Sequence, residues 1–176
     1  MNDTDNITAT IDPPTAHAFV AHQGEPWWFG DNLFEFLVPS DSTGGQISVF
    51  RVRAPGGFGP PRHVHTREDE VFHVLDGEVC FEIDGRRLLG GPGTTVWMPR
   101  GVSHGFRIQS ETATMLGTIT PGSYEHLFRA VGSPALARAL PPPQAGQLDV
   151  AALVAEMTAR GTRVVGPPIS AEEAAR

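Results

Sequence analysis

The chain has 176 residues, enough for one domain with a hydrophobic core and short for two. A net charge of −7 with no basic cluster argues against nucleic acid and anionic membrane surfaces as partners, and no apolar run approaches membrane-spanning length. All 13 basic residues are arginine, which excludes Schiff-base chemistry and a P-loop lysine; the one cysteine, Cys80, cannot form an intrachain disulfide, in keeping with a cytoplasmic location.

Residues 1–20 read as a flexible polar arm, without the cationic and apolar regions of a signal peptide. A β-domain over 21–120 follows, then a helical extension and tail over 121–176. Strands are expected at Trp27–Phe29, Leu33–Val38 and Gln46–Arg53, the last two separated by the loop Asp41–Gly45. The Gly/Pro-rich loop Pro55–Pro61 leads into a strand carrying His63. Next come Glu70–Leu75, the turn Asp76-Gly77, and Glu78–Ile83, where Val79, Phe81 and Ile83 alternate with Glu78, Cys80 and Glu82. Asp84-Gly85 is a hairpin turn into Arg86–Leu89, and Thr94–Met98, Gly105–Gln109 and Thr112–Thr120 complete the run. Closely spaced short strands with turn signals between them predict an all-β sandwich or barrel.

Beyond residue 120 the periodicity changes. Tyr124, Leu127, Phe128 and Val131 fall at helical spacing, with Gly132 placed to end the helix. After a Pro141–Pro143 linker, Asp149 is a good N-cap, and Leu148 and Leu153 fit a hydrophobic staple across it. Val150, Leu153, Val154 and Met157 form the stripe of this second helix, and Gly161 its stop. Two short C-terminal helices are therefore expected, packed outside the β-domain or closing one of its mouths.

The chemistry concentrates in two segments. His63 and His65 lie two residues apart, so on a strand they face the same side, and Glu70 follows. A second segment, from Gly93 through Pro99 and Gly101, supplies His104. Imidazole and carboxylate form a borderline-to-hard donor set, suited to one divalent transition metal per chain: Fe, Mn, Ni, Co, Cu or Zn. If Glu70 points inward, Phe72 and Val74 share its face, and Phe106 and Ile108 share that of His104; with Met98 they form a candidate apolar pocket. Simple filling of a small barrel explains the same residues. His73, three residues after Glu70, faces the opposite side and reads as a core or interface histidine; His17, His22 and His126 read as solvated surface. Gly101-Val102-Ser103-His104-Gly105 spells the nucleophile-elbow pattern but lacks the strand-then-helix context that motif needs, so Ser103 is not taken as a nucleophile.

The spacing Gly57-x5-His63-x-His65-x4-Glu70-x6-Gly77 resembles the first motif of the cupin superfamily, and Gly93-x5-Pro99-x-Gly101-x2-His104 its second. Ile108 stands where the family often has asparagine, a position that is not a ligand. The resemblance implies a jelly-roll barrel (a double-stranded β-helix) holding a metal on His63, His65, Glu70 and His104. Within the superfamily, the His-x-His-x4-Glu variant, the turn Pro99–His104 and the Thr120-Pro121-Gly122 segment resemble single-domain bacterial proteins related to quercetinases, the flavonol dioxygenases. That likeness implies a metal-dependent dioxygenase acting with O2 on a small aromatic enol, with Glu70 as ligand alone or also as proton acceptor, and a homodimer. Two alternatives stand beside it: an oxygen-independent metal-dependent cyclase or isomerase, and a non-catalytic small-molecule binder.

Overall fold

The computed structural model describes residues 24–142 and 148–175. The arm over 1–20, His17 and His22, and Pro143 of the linker lie outside the described residues. Two antiparallel sheets face one another. The larger contains β1 (Glu25–Phe29), β2 (Asn32–Val38), β3 (Ser48–Pro55), β5 (Asp69–Asp76), β8 (Thr95–Met98), β10 (Thr112–Thr120) and β11 (Ser133–Pro134), in the order β11-β1-β2-β3-β10-β5-β8. The smaller contains β4 (Arg62–His65), β6 (Val79–Ile83), β7 (Arg86–Gly90), β9 (His104–Ile108) and β12 (Thr162–Gly166), in the order β12-β4-β9-β6-β7. This is the expected jelly-roll barrel. Its inward faces carry Phe50, Phe72, Val74, Phe81, Met98, Phe106, Ile108, Met115 and Ile119, all buried.

Turns place the strands. Gly77 joins β5 to β6 with φ +83, and a Cβ there would lie 2.4 Å from the Thr112 carbonyl oxygen, so no larger residue fits. Gly101, at φ +82, donates its N–H to the His65 carbonyl at 2.8 Å, tying the turn before β9 to the end of β4. Ser103 lies in that strand-to-strand turn, with no helix after it.

The C-terminal extension does more than add helices. α1 (Glu125–Val131) packs on the barrel through buried Leu127 and through Phe128, whose ring stacks on Phe34 at 4.5 Å and meets Phe29 edge-on at 5.1 Å. α2 (Val150–Ala159) begins where Asp149 accepts from the N–H groups of Ala151 and Ala152 at 2.9 and 3.0 Å, the expected cap. The stripe then turns out narrower than its periodicity suggests: Met157 is buried and Leu153 packs on the core, while Val150 and Val154 stay exposed.

After Gly161 the chain returns to the smaller sheet as β12, pairs with β4, and ends in α3 (Ala171–Ala174), closed by a Ser170–Glu173 capping box. The sequence reading missed β11, β12 and α3. β12 and α3 explain why β6 departs from simple alternation. Cys80 and Glu82, on its outward side, are 3% and 7% exposed. The tail lies over that side: Glu82 binds Arg62 and Arg87, Arg62 and Arg87 both reach Glu173, and Ile169 is buried. Burial pushes the Cys80 thiol up, so it stays protonated.

Candidate metal centre

Three histidines project from the smaller sheet and one glutamate from the larger. His63 and His104 are register partners on β4 and β9, so their rings share a face, with centroids 4.5 Å apart. His65 is two residues along β4 on the same face, and Glu70 points in from β5. All four are buried, and one ligand atom from each lies within 4.8 Å of all the others. Glu70 Oε2 stands 3.6 Å from His104 Nε2 and 3.8 Å from His65 Nε2. Donors sharing one ion at about 2.0–2.2 Å stand about 3–4 Å apart, so the spacing fits a single metal.

The hydrogen bonds fix which nitrogens are available. His63 Nδ1 lies 2.7 Å from the Pro61 carbonyl and His104 Nδ1 lies 3.0 Å from that of Val102. A carbonyl only accepts, so Nδ1 carries the proton in both rings and Nε2 presents a lone pair. His104 Nε2 is buried with no hydrogen-bond partner. An unpartnered buried nitrogen aimed at a carboxylate and two imidazoles is what a metal ligand looks like before the metal.

Electrostatics agree. Burial, then repulsion from His104 and His65, holds the His63 imidazole down at about 4, so it is neutral at pH 7 and free to ligate. For Glu70 burial pulls upward, but the His104 interaction and the charges of the three histidines outweigh it, and its carboxyl lies below the ordinary value. Glu70 is therefore ionised at neutral pH and supplies the negative charge of the cluster.

The cluster opens onto a cavity of about 160 Å³. His63, His65 and Glu70 border it. Seven phenylalanines, Phe29, Phe34, Phe50, Phe58, Phe72, Phe106 and Phe128, make up much of its wall. Tyr124, Leu127, Leu148, Leu153 and Met157 complete its wall from the extension.

Of the expected pocket residues, Phe72 and Phe106 line this cavity. Val74, Met98 and Ile108 do not; they are 0–1% exposed within the core. Val74 and Ile108 share the inward face but sit four residues beyond Glu70 and His104, about 13 Å further along the strands. Met98, the register partner of Glu70 on β8, is packed in the core. His73 is not in the core. It lies half-buried on the outer face of the larger sheet, bonded to Thr95 at 2.7 Å. His126 is part-exposed beside Asp41 and Ser40. Trp28 and Phe36 are buried away from the cavity wall.

Three residues near the site carry no ligand-like spacing. Tyr124 sets its ring edge-on to His65, centroids 4.3 Å apart. Burial raises its phenol, so it stays protonated. Thr162 Oγ1 lies 3.3 Å from His65 Nδ1, and Glu68 Oε2 lies 3.7 Å from the same nitrogen with no partner of its own. Helical periodicity marked Tyr124 only as part of an apolar stripe.

A jelly-roll barrel with three inward histidines and one inward glutamate, placed so that they could hold a metal ion, is an arrangement similar to that of cupin proteins. Residues 50–120 match the cupin domain family model. Over a longer stretch the chain resembles the quercetinases. It is 28% identical over 144 residues to quercetin 2,3-dioxygenase of Bacillus subtilis strain 168, covering 81% of this chain and 43% of that protein. It is 31% identical over 109 residues to quercetin 2,3-dioxygenase of Aspergillus japonicus, covering 57% of this chain and 31% of that one. The chain thus spans less than half the length of these two curated relatives. Among solved structures, a predicted oxalate decarboxylase of Thermotoga maritima superposes with a TM-score of 0.53 at 18% identity, covering 59% of this chain and 98% of that one, a likeness of fold. Among the described residues, no helix is long and apolar enough to cross a membrane.

Proposed function

We propose that the protein is a metal-dependent dioxygenase that cleaves a flavonol or a related enol-bearing aromatic with O2, acting as a cytoplasmic homodimer. The observation that carries this reading is that the His63–His65–Glu70–His104 cluster opens, through His63, His65 and Glu70, onto a cavity walled by phenylalanine. Likeness to two quercetin 2,3-dioxygenases supports the same chemistry. A metal on these four residues would act as a Lewis acid on a substrate hydroxyl and orient the substrate toward O2. The protein's own residues do the rest. Among the described residues Glu70 is the one carboxylate bordering the cavity, and as an anion it accepts the enol proton at a carboxylate oxygen. Phe72 and Phe106 offer aromatic faces and edges to a flat substrate, and the apolar wall excludes water from a carbanion-like carbon.

A cavity of about 160 Å³ holds about one aromatic ring. The test is oxygen uptake by metal-free protein reconstituted separately with Fe, Mn, Co, Ni, Cu and Zn and supplied with quercetin. Uptake that depends on both metal and substrate is the expected result and identifies the working ion. No uptake with any ion overturns the dioxygenase reading.

A further inference from the structure

We propose that the C-terminal tail completes the metal centre: Thr162 is a positioning residue whose hydroxyl holds the outer nitrogen of His65. The inference rests on reading the cluster as a metal centre, and not on which reaction occurs there.

A ligating histidine is oriented by whatever its second nitrogen binds. His63 and His104 obtain that partner from carbonyls two residues upstream, Pro61 and Val102, so the same local turns that place the rings also anchor them. His65 has no such carbonyl. Its Nδ1 meets Thr162 Oγ1 at 3.3 Å, a residue 97 positions away. The meeting follows from strand register. Thr162 on β12 pairs directly with His65 on β4, and directly paired residues in an antiparallel sheet point to the same face.

Proton directions are consistent along the chain. With Nε2 turned to the cluster, Nδ1–H donates to Thr162 Oγ1, and the single Thr162 hydroxyl proton is left to donate to Tyr124 Oη at 3.2 Å. Thr162 is 3% exposed, so water does not compete for either bond. Tyr124 also braces the His65 ring edge-on, closing the arrangement from the cavity side. Glu68 is the rival support. Its Oε2 is 3.7 Å from the same Nδ1, beyond hydrogen-bond reach. The tail that brings Thr162 is itself held: Thr66 Oγ1 donates to the Gly161 carbonyl at 2.7 Å, and Arg62 and Arg87 grip Glu173 further along.

The test is Co(II) titration of the metal-free full-length protein, following the visible d–d absorption of the bound ion. Thr162→Val, which removes the hydroxyl and keeps the shape, should weaken Co(II) binding about 10–100-fold and shift the absorption bands. Thr162→Ser should restore both, and thermal melts of the metal-free variants should show the fold intact. Independently of any variant, the Zn(II)-loaded wild-type protein should show a slowly exchanging His65 Nδ1–H by NMR, alongside those of His63 and His104. Wild-type affinity and bands in Thr162→Val, a weakening by Glu68→Gln but not by Thr162→Val, or a missing His65 Nδ1–H beside the other two would each overturn the role of Thr162. A wild-type protein that binds no Co(II) at all would overturn the metal-centre reading, and this inference with it.

Discussion

Within the barrel, the two histidines that pair across β4 and β9 carry their support with them, because Pro61 and Val102 precede them by two residues. The C-terminal extension contributes to the same site from a distance: Thr162 behind His65, and Tyr124, Leu127, Leu153 and Met157 over the cavity. One region sets the ligands and the other sets their surroundings. Changes in the barrel should therefore damage chemistry or global stability, whereas changes in the part of the extension that lines the cavity should alter substrate access or local order with the ligand set intact, and Thr162 is the point where the extension reaches a ligand.

The sharpest break is Glu70→Gln. Turnover should fall about 10²–10⁴-fold while Co(II) affinity falls by no more than about tenfold, measured by steady-state kinetics and titration on one preparation. Equal losses in the two would make Glu70 a ligand and nothing more. Acid should affect the barrel next. His63 is held at about 4 in the folded protein against 6.5 when unperturbed, so between those values the unfolded chain binds the extra proton. Stability of the metal-free protein should accordingly fall as pH is lowered from 6.5 toward 4, with a slope near 1.4 kcal/mol per pH unit, and level off below. Urea melts across that range check it; a flat profile would show that His63 is not buried in its neutral form.

Gly117→Ala tests packing behind the site. A Cβ there would lie 2.4 Å from the Phe50 ring, on the wall between β3 and β10, and the overpacking should cost about 1–3 kcal/mol by urea denaturation. In the extension, Leu153→Trp should fill the mouth and raise KM about tenfold, roughly 1.4 kcal/mol, with unchanged metal affinity. Weakened metal binding would instead show that the cover and the ligands are not separable. The smallest effect is expected from Asp149→Ala, which removes the cap of α2 at about 1 kcal/mol. Hydrogen exchange should show that loss in α2 while β4 and β9 keep their protection; loosening of all three together would mean the extension and barrel unfold as one unit.

The contrast also explains what was legible in the sequence. His63, His65 and Glu70 are separated by turn and strand spacings that geometry fixes locally, and His104 follows a Gly-Pro-Gly turn pattern of the same kind. The strands from Trp27 to Thr120 and the Asp149 cap could be read for the same reason. Two-residue periodicity gives the face a side chain takes but not its depth in the barrel, which is why Val74 and Ile108 were grouped with the cavity when only Phe72 and Phe106 reach it. Glu82 looked like an outward-facing residue because its cover, the segment ending in Glu173, lies 91 positions away in the chain. Thr162 offered no signal at all. A threonine in Thr162–Gly166 reads as an ordinary β-former, and only the pairing of β12 with β4 gives it a neighbour.

The separation between His65 and Thr162 has a consequence for how the protein is made. At about 5–20 residues per second, Thr162 is synthesised several seconds after the last ligand, His104. During that interval the four ligands exist in a nascent chain whose His65 still lacks its outer partner. Firm capture of an ion would thus wait until β12 has been made and docks against β4.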